Sequence, residues 1–305
     1  MNAVKQYFLA TRPAFLSITL LGCLIGLVYR YSPSRSSWMI NLLALVIALL
    51  AHAAGNVLND YFDHLNGSDL INSDRVSPFT GGSRFIQVNI FKPKQIHQFG
   101  ILLLLLSILL GLFLCSITTW KLLPIGIFGA ILLWMYSATP FELMSRGILG
   151  EITIALSWSL VVVGFSTLQS GAIDVEIIPI AMAYGLMVAN ILFLNQIPDI
   201  NADKKSQKIT LAVQSPPEYL WVWYSTFPLC AYVLQFFAVQ SNFAPPQTMV
   251  TFLVIPFFWY CATKLKNGQL DQSHLKTMIP INILGVHIYA LLLCVGFILN
   301  PKILF

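Results

Sequence analysis

The stretch Asn56-Val57-Leu58-Asn59-Asp60-Tyr61-Phe62-Asp63 closes an apolar run that is long enough to cross a membrane. On a helix, its four polar residues follow the spacing i, i+3, i+4 and i+7, which puts them on one face. Each charge near the centre of a bilayer costs roughly 2.5–3.5 kcal/mol to insert. Two carboxylates on such a face need a compensating partner, and a divalent cation is the leading candidate.

The composition indicates a polytopic membrane protein. The chain has 305 residues, of which 57% are hydrophobic and only 10% charged, whereas soluble domains have about 25% charged residues. Because lipid offers no partners for backbone polar groups, apolar runs of this kind predict helices. We therefore expect an all-α bundle of nine transmembrane helices. The runs are 14–30, 38–58, 98–118, 121–137, 148–169, 175–197, 219–239, 246–263 and 278–300.

The basic residues are divided unequally between the two sides of this bundle. The N-terminal arm and the connections after the second, fourth, sixth and eighth runs hold 13 of the 17 Lys and Arg residues. The positive-inside rule then predicts a cytoplasmic N-terminus. The long connections 60–97 and 199–217 lie on the same side, which predicts a cytoplasm-facing cavity. The opposite side holds Arg30, Arg35, Lys121 and Lys302.

A second acidic stretch, Asn195-Gln196-Ile197-Pro198-Asp199-Ile200-Asn201-Ala202-Asp203, closes the sixth run as the first stretch closes the second. Its Asn195, Asp199 and Asp203 repeat at i, i+4 and i+8, again close to one helical face. Mg²⁺ prefers hard oxygen ligands and commonly combines one or two carboxylates with substrate phosphates. Two facing clusters therefore predict a magnesium site. The alternative is a solvated, charge-balanced loop.

Together the two stretches resemble the UbiA superfamily of intramembrane prenyltransferases. The resemblance rests on Asn-x-x-Asn-Asp-Tyr-x-Asp, on Gly67-x-Asp69 and on the spacing of the second stretch. The form of the first motif is closest to the 1,4-dihydroxy-2-naphthoate (menaquinone-type) branch, although Ser77 to Arg84 replaces a shorter turn. Further matches are Arg12-Pro13, Tyr136-Ser137-x-x-Pro140, Arg146-Gly147, Gly150-Glu151 and Lys204-Lys205 through Thr210-Leu211-Ala212.

The resemblance implies one domain, residues 1–305, that transfers an isoprenyl group from a prenyl diphosphate to an aromatic quinone precursor with Mg²⁺. Glu151 is expected to pair with Arg146. The implied catalytic carboxylates are Asp60, Asp63, Asp199 and Asp203. The implied metal ligands are these four with Asn59, Asp69 and Asn195. The implied substrate-binding residues are Asn56, Arg75, Arg84, Tyr136, Arg146, Lys204, Lys205 and Lys208.

Several alternatives stay open from the sequence. The acceptor could be 4-hydroxybenzoate, homogentisate, haem or a chlorophyllide. A cation-coupled transporter would place its carboxylates near the bilayer midplane, and a CDP-alcohol phosphotransferase would use one compact acidic motif. The expected partners are the prenyl diphosphate, the aromatic acceptor and the lipid bilayer, with no nucleic acid and with the oligomeric state open. The expected location is a bacterial inner membrane.

Overall fold

The structure, a computed structural model, describes residues 2–30 and 37–300. Two residues of the charge count, Arg35 and Lys302, lie outside this part. The chain folds into helices joined by loops and 3₁₀ segments, and the 3₁₀ segment Pro246–Val254 leads directly into a helix. The helices are α1 (Ala3–Ala10), α2 (Pro13–Tyr29), α3 (Trp38–Asn66), α4 (Ser68–Ile71), α5 (Pro93–Ile117), α6 (Leu122–Ser137), α7 (Leu149–Ser170), α8 (Ile178–Gln196), α9 (Ile200–Lys205), α10 (Leu211–Gln214), α11 (Leu220–Gln240), α12 (Ile255–Lys266) and α13 (Gln272–Ile298).

Seven helical segments in the described ranges are long and apolar enough to cross a membrane. The bent pair α1–α2, with 56° between its helices, would make an eighth. The predicted run at 121–137 corresponds to α6, which is apolar but has only 16 residues. The protein is thus a nearly all-helical bundle of membrane-length helices. The seven segments are α3, α5, α7, Val175–Gln196, Pro217–Gln240, Pro246–Lys266 and α13.

The prediction of a purely helical chain is wrong at one place. Arg146–Gly147 (β1) and Ile209–Thr210 (β2) form a two-residue parallel ladder, with Arg146 opposite Ile209 and Gly147 opposite Thr210. Strands this short give no alternating pattern in the sequence, so periodicity could not reveal them. The ladder ties the connection before α7 to the segment that follows the second acidic stretch.

Helix α8 lies at the centre of the largest apolar cluster. Its Tyr184, Met187 and Phe193 are fully buried, and the Tyr184 hydroxyl donates a hydrogen bond to the Ile18 carbonyl of α2. Small residues let membrane helices approach closely, and Gly185 packs directly on α7. A Cβ at Gly185 would lie 2.0 Å from the Ala155 carbonyl oxygen, so this contact requires glycine.

Gly185→Ala is therefore expected to destabilise the bundle by roughly 1–3 kcal/mol, the usual cost of overpacking a core. Gly126→Ala in α6 is the matched control, because no atom of the described residues lies within 4 Å of a Cβ there. Thermal unfolding in detergent should show a lower Tm for the first variant and an unchanged or higher Tm for the second. Equal melting temperatures for the two variants would contradict the close α7–α8 contact.

Helix α3 carries the first acidic stretch to the edge of the bundle. Its 29 residues span about 43 Å at 1.5 Å per residue, more than the roughly 30 Å of a hydrocarbon core. The helix ends at Gly67, which adopts a left-handed conformation with φ 83°. The chain then turns back through α4 toward the end of α8, so that the two acidic stretches meet.

Candidate active site

The two acidic stretches meet at one end of a large cavity. The cavity has a volume of about 1050 Å³ and lies among α2, α3, α5, α6, α7 and α8. Carboxylates from both stretches line it, whereas Asp60 is buried and lies off the lining. The wall away from this polar end is mostly apolar. The charged and amide residues on the lining are Arg12, Asn56, Asn59, Asp63, Asp69, Asn72, Asn195, Gln196, Asp199, Asp203 and Lys208.

Asp60 and Asp63 in α3 each pair with a cation from another element. Asp60 accepts from the Arg12 guanidinium and from the Ser83 backbone N–H, at 3.3 and 3.2 Å to its two oxygens. Asp63 Oδ1 lies 2.8 Å from Lys208 Nζ. Both carboxylates are nearly buried, at 3% and 6% exposure. Ion pairs thus connect the first cluster to the start of α2, through Arg12, and to the segment after α9, through Lys208.

The second cluster has a different environment. Asp199 Oδ1 accepts from Asn72 Nδ2 at 2.8 Å and from Thr80 Oγ1 at 3.0 Å. Asp203 is buried and has the Lys208 ammonium near it. The Asn195 Oδ1 atom is buried and has no hydrogen-bond partner among the residues that the structure describes. Since buried polar oxygens normally have partners, this atom is free for a ligand group.

Residues 72–84, here named the covering loop, pack over both clusters. Besides Asn72 and Thr80, the loop brings Gly82 against the carboxylates with φ 69°. A Cβ at Gly82 would lie 2.6 Å from Asp69 Oδ2 and 3.0 Å from Asp60 Oδ1. The loop is therefore part of the site and requires glycine at this position.

Several ionisable groups are buried close together at this end of the cavity, and this shifts their pKa values. Burial, with the neighbouring carboxylates Asp63 and Asp60 adding to it, raises the pKa of Asp69. Burial raises the pKa of Asp203 to about 7, while Lys208 opposes the shift. For Lys208, burial lowers the pKa, but Asp63 and Asp203 outweigh it and the net shift is upward. Additional positive charge at this point would favour the ionised carboxylates.

The residues predicted to bind substrate separate into two groups. Asn56, Tyr136 and Lys208 line the cavity, whereas the other five lie off its lining. Arg84 donates to the Asp69 carbonyl, and Arg146 is exposed and donates to the Pro140 carbonyl at 2.6 Å. A role at the substrate for these off-lining residues stays a prediction. The five are Arg75, Arg84, Arg146, Lys204 and Lys205.

Arg12 is the main residue that the sequence reasoning missed. It was noted beside Pro13 but given no role, yet it bonds Asp60 and, at 3.2 Å, Asn59 Oδ1. Its own backbone is left-handed with φ 53°, because the chain bends between α1 and α2. The Arg-Pro pair before an apolar run was the available signal. Asn72, Thr80 and Ser83 were missed because loop residues carry no periodicity.

The expected pairing of Glu151 with Arg146 is wrong. Glu151 is fully buried in the first turn of α7. Within the described ranges its carboxylate has no ion pair and no well-formed hydrogen bond, and the Gln196 side chain is a polar neighbour. Arg146 lies before the helix, in the β1 strand, and is exposed. The strand pairing directs Arg146 away, and the N-terminal end of α7 supplies the positive potential that favours a carboxylate.

Comparison with known proteins agrees with this architecture. The model of the UbiA prenyltransferase family matches residues 18–298. A 1,4-dihydroxy-2-naphthoate octaprenyltransferase of Bacillus subtilis (strain 168) is 28% identical over 282 residues, covering 90% of this chain and 83% of the relative. An enzyme of the same name from Haemophilus influenzae is 30% identical over 222 residues, covering 69% of each chain.

A solved structure shows the same fold. The structure of a UbiA homolog from Archaeoglobus fulgidus bound to DMAPP and Mg²⁺ superposes with a TM-score of 0.71 at 16% identity, covering 95% of this chain and 99% of that one. At that identity the likeness concerns the fold alone. The family match extends over nearly the whole bundle, including both acidic stretches. The chain therefore belongs to the UbiA prenyltransferase family, and it is a prenyltransferase built from membrane-length helices.

Proposed function

We propose that this enzyme transfers an isoprenyl group from a prenyl diphosphate to an aromatic quinone precursor similar to 1,4-dihydroxy-2-naphthoate, with Mg²⁺. One observation carries the proposal: two carboxylate clusters and two cations, Arg12 and Lys208, meet at the polar end of a long apolar cavity. That combination suits a ligand with an anionic head and an apolar tail. The printed names of the bacterial relatives support the choice of acceptor.

The donor set fits Mg²⁺ as an ion shared with substrate. In the parts of the chain that the structure describes, no three His, Cys, Asp or Glu side chains converge on one metal position. Mg²⁺ does not need such a cage, because it keeps waters and uses substrate phosphates as ligands. The unpartnered Asn195 oxygen supports a ligand here. The residues that would hold the ion are Asn59, Asp60, Asp63, Asp69, Asn195, Asp199 and Asp203.

Each group then has a part in the reaction. When bound, Mg²⁺ supplies positive charge to the diphosphate oxygens as the allylic C–O bond breaks. Lys208 adds a charge-assisted hydrogen bond to the leaving group, and Arg12 holds Asp60 in place. The apolar wall keeps water from the allylic carbon until the acceptor attacks it. Asn56 lines the cavity, and its amide nitrogen donates to the Thr11 carbonyl at 2.9 Å, which holds the side chain in place.

The membrane arrangement is part of the proposal. We place α6 as a ninth span and the bent α1–α2 pair as the first, which gives nine transmembrane helices. The excess of Lys and Arg at the end that carries the acidic stretches supports a cytoplasm-facing cavity and a cytoplasmic N-terminus. The bacterial relatives support the inner membrane as the location.

Gly82→Ala is expected to lower prenyl transfer by about 10-fold or more, because a Cβ would meet two carboxylates and the φ of 69° disfavours alanine. Gly268→Ala is the matched control, since that glycine also has positive φ (71°), but a Cβ there would have no neighbour within 4 Å in the part of the chain that the structure describes. Both variants should be compared by initial rate in membranes. A similar loss in the control would mean that backbone strain, and not contact with the site, causes the effect.

The function itself is tested by product mass. Membranes containing the protein are incubated with Mg²⁺, radiolabelled prenyl diphosphates of several lengths and a panel of aromatic acceptors. The expected product is a prenylated naphthoquinone precursor, formed only with divalent metal. Prenylation of 4-hydroxybenzoate, homogentisate, haem or a chlorophyllide in its place would correct the acceptor. Release of inorganic diphosphate without any prenylated product would contradict the proposal.

A further inference from the structure

A histidine lies inside the apolar part of the cavity, next to the polar end. His52 precedes Asn56 by four residues on α3, so it continues the same helical face about 6 Å further along the axis. Its ring is on the cavity lining. His52 Nδ1 lies 2.8 Å from Thr19 Oγ1 of α2, and the ring meets Trp158 of α7 edge to face at 4.9 Å between centroids. Three helices therefore fix its orientation.

Only one of the two ring nitrogens of His52 is engaged in these contacts. Thr19 bonds Nδ1, and within residues 2–30 and 37–300 no hydrogen-bond partner is found for Nε2, which is also not among the side-chain atoms that are both fully buried and unpartnered. When Nδ1–H donates to Thr19, Nε2 is the unprotonated nitrogen and accepts a hydrogen bond. Such an acceptor in an apolar wall suits a ligand that carries a hydroxyl group.

Two parts of the cavity lining differ in polarity, and each suits a different substrate. On the α5–α6 side, a Cβ at Gly126 or Gly129 would meet nothing within 4 Å, and one at Gly111 would meet only Ile47 at 4.0 Å. That side is wide and apolar, which suits an isoprenyl tail. The part of the lining around His52, where α2, α3 and α7 meet, carries a polar ring nitrogen and is suited to a flat ring with a polar substituent.

We propose that His52 carries its proton on Nδ1, and that its Nε2 accepts a hydrogen bond from a phenolic hydroxyl of the aromatic acceptor and so selects hydroxylated rings. This inference rests on the proposed function. His52 precedes Asp60 by eight residues, or about 12 Å along the helix axis. An acceptor held by its hydroxyl at His52 extends from there toward the allylic carbon beside the diphosphate. Trp158 supports the imidazole from the side, and Thr19 holds its Nδ1.

The test compares His52→Phe with His52→Gln, whose amide restores a hydrogen-bonding group near the Nε2 position. The probes are 1,4-dihydroxy-2-naphthoate and its two mono-O-methyl ethers. For His52→Phe we expect kcat/KM for the dihydroxy acceptor to fall about 10- to 100-fold, the size expected when a buried hydrogen bond is lost. The KM for the prenyl diphosphate should stay within about twofold. His52→Gln should recover a substantial part of the activity.

The decisive readout is the response to methylation. With one of the ethers, wild type and His52→Phe should have the same kcat/KM, because the hydrogen bond is absent in both. The matched control is His287→Leu: His287 also bonds an α2 hydroxyl, Ser17 Oγ at 2.8 Å, but it is not on the cavity lining. This control should behave as wild type toward all three acceptors.

Two outcomes overturn the inference in distinguishable ways. If wild type prenylates the dihydroxy acceptor and His52→Phe does so equally well, or loses the same factor on all three acceptors, His52 does not read the hydroxyl. If wild type prenylates no hydroxylated aromatic acceptor under any condition, the proposed function fails, and this inference fails with it.

Discussion

Asp63→Asn and Asp199→Asn are each expected to reduce prenyl transfer by roughly 10³-fold or more. Each change removes one negative charge from one of the two clusters while keeping the size of the side chain. Electrostatic groups at the reacting centre are worth about 10²–10³ each, and here the loss also weakens the binding of metal. The measurement is the initial rate of product formation, with protein in the membrane quantified in parallel.

Glu218→Gln is the control for these two variants. It makes the same acid-to-amide change at an exposed residue that follows the second acidic stretch and lies off the cavity, and its rate should equal that of wild type. If either Asp variant retained a rate within about tenfold of wild type at saturating Mg²⁺, the two clusters would not form a single catalytic site.

Lys208→Met is expected to lower kcat/KM for the prenyl diphosphate by about 10²-fold, the size expected for losing one charged donor at a developing anion. Lys208 Nζ lies 2.8 Å from Asp63 Oδ1, and its side chain is only 13% exposed. Without it, the buried carboxylates keep Arg12 as the nearby cation on the lining and repel the diphosphate more strongly. Steady-state kinetics at fixed Mg²⁺ measures the change.

Lys276→Met serves as the control for Lys208→Met, because Lys276 is exposed and off the cavity. Lys208→Arg should retain more activity than Lys208→Met, since it keeps the charge. An unchanged kcat/KM for Lys208→Met would show that Lys208 holds Asp63 for structural reasons only.

The sequence was sufficient to predict the helical bundle and the two acidic stretches at one end of it. The bundle follows from the length and apolarity of the runs, and the shared end follows from the long connections and the distribution of basic residues. Helical spacing places Asn59 beside Asp63, but α8 ends at Gln196 and α9 begins at Ile200, so the predicted continuous face from 195 to 203 is broken. Mean hydropathy and charge content likewise require membrane-length helices. Because these features depend on local sequence, they can be predicted without knowing how the helices pack.

The remainder of the site depends on contacts that no local pattern encodes. The segment from Ser77 to Arg84 was noted only as a departure from the family pattern, yet its Thr80, Gly82 and Ser83 contact the carboxylates. Arg12 reaches Asp60 across 48 residues of sequence. Lys204, Lys205 and Lys208 have the same charge and are predicted on the same side of the membrane, so the sequence does not show which of them reaches the site. The structure places Lys208 on the cavity lining and the other two at the surface.

The central claim is that the two acidic stretches form one metal-dependent site for a diphosphate. The most direct test is equilibrium binding of an unreactive prenyl thiodiphosphate to purified protein, with Mg²⁺ or with EDTA, in wild type, Asp63→Asn and Asp203→Asn. Tight binding should require Mg²⁺ and should weaken at least about tenfold in both variants. Binding that persists in EDTA, or that depends on only one of the two stretches, would contradict the account.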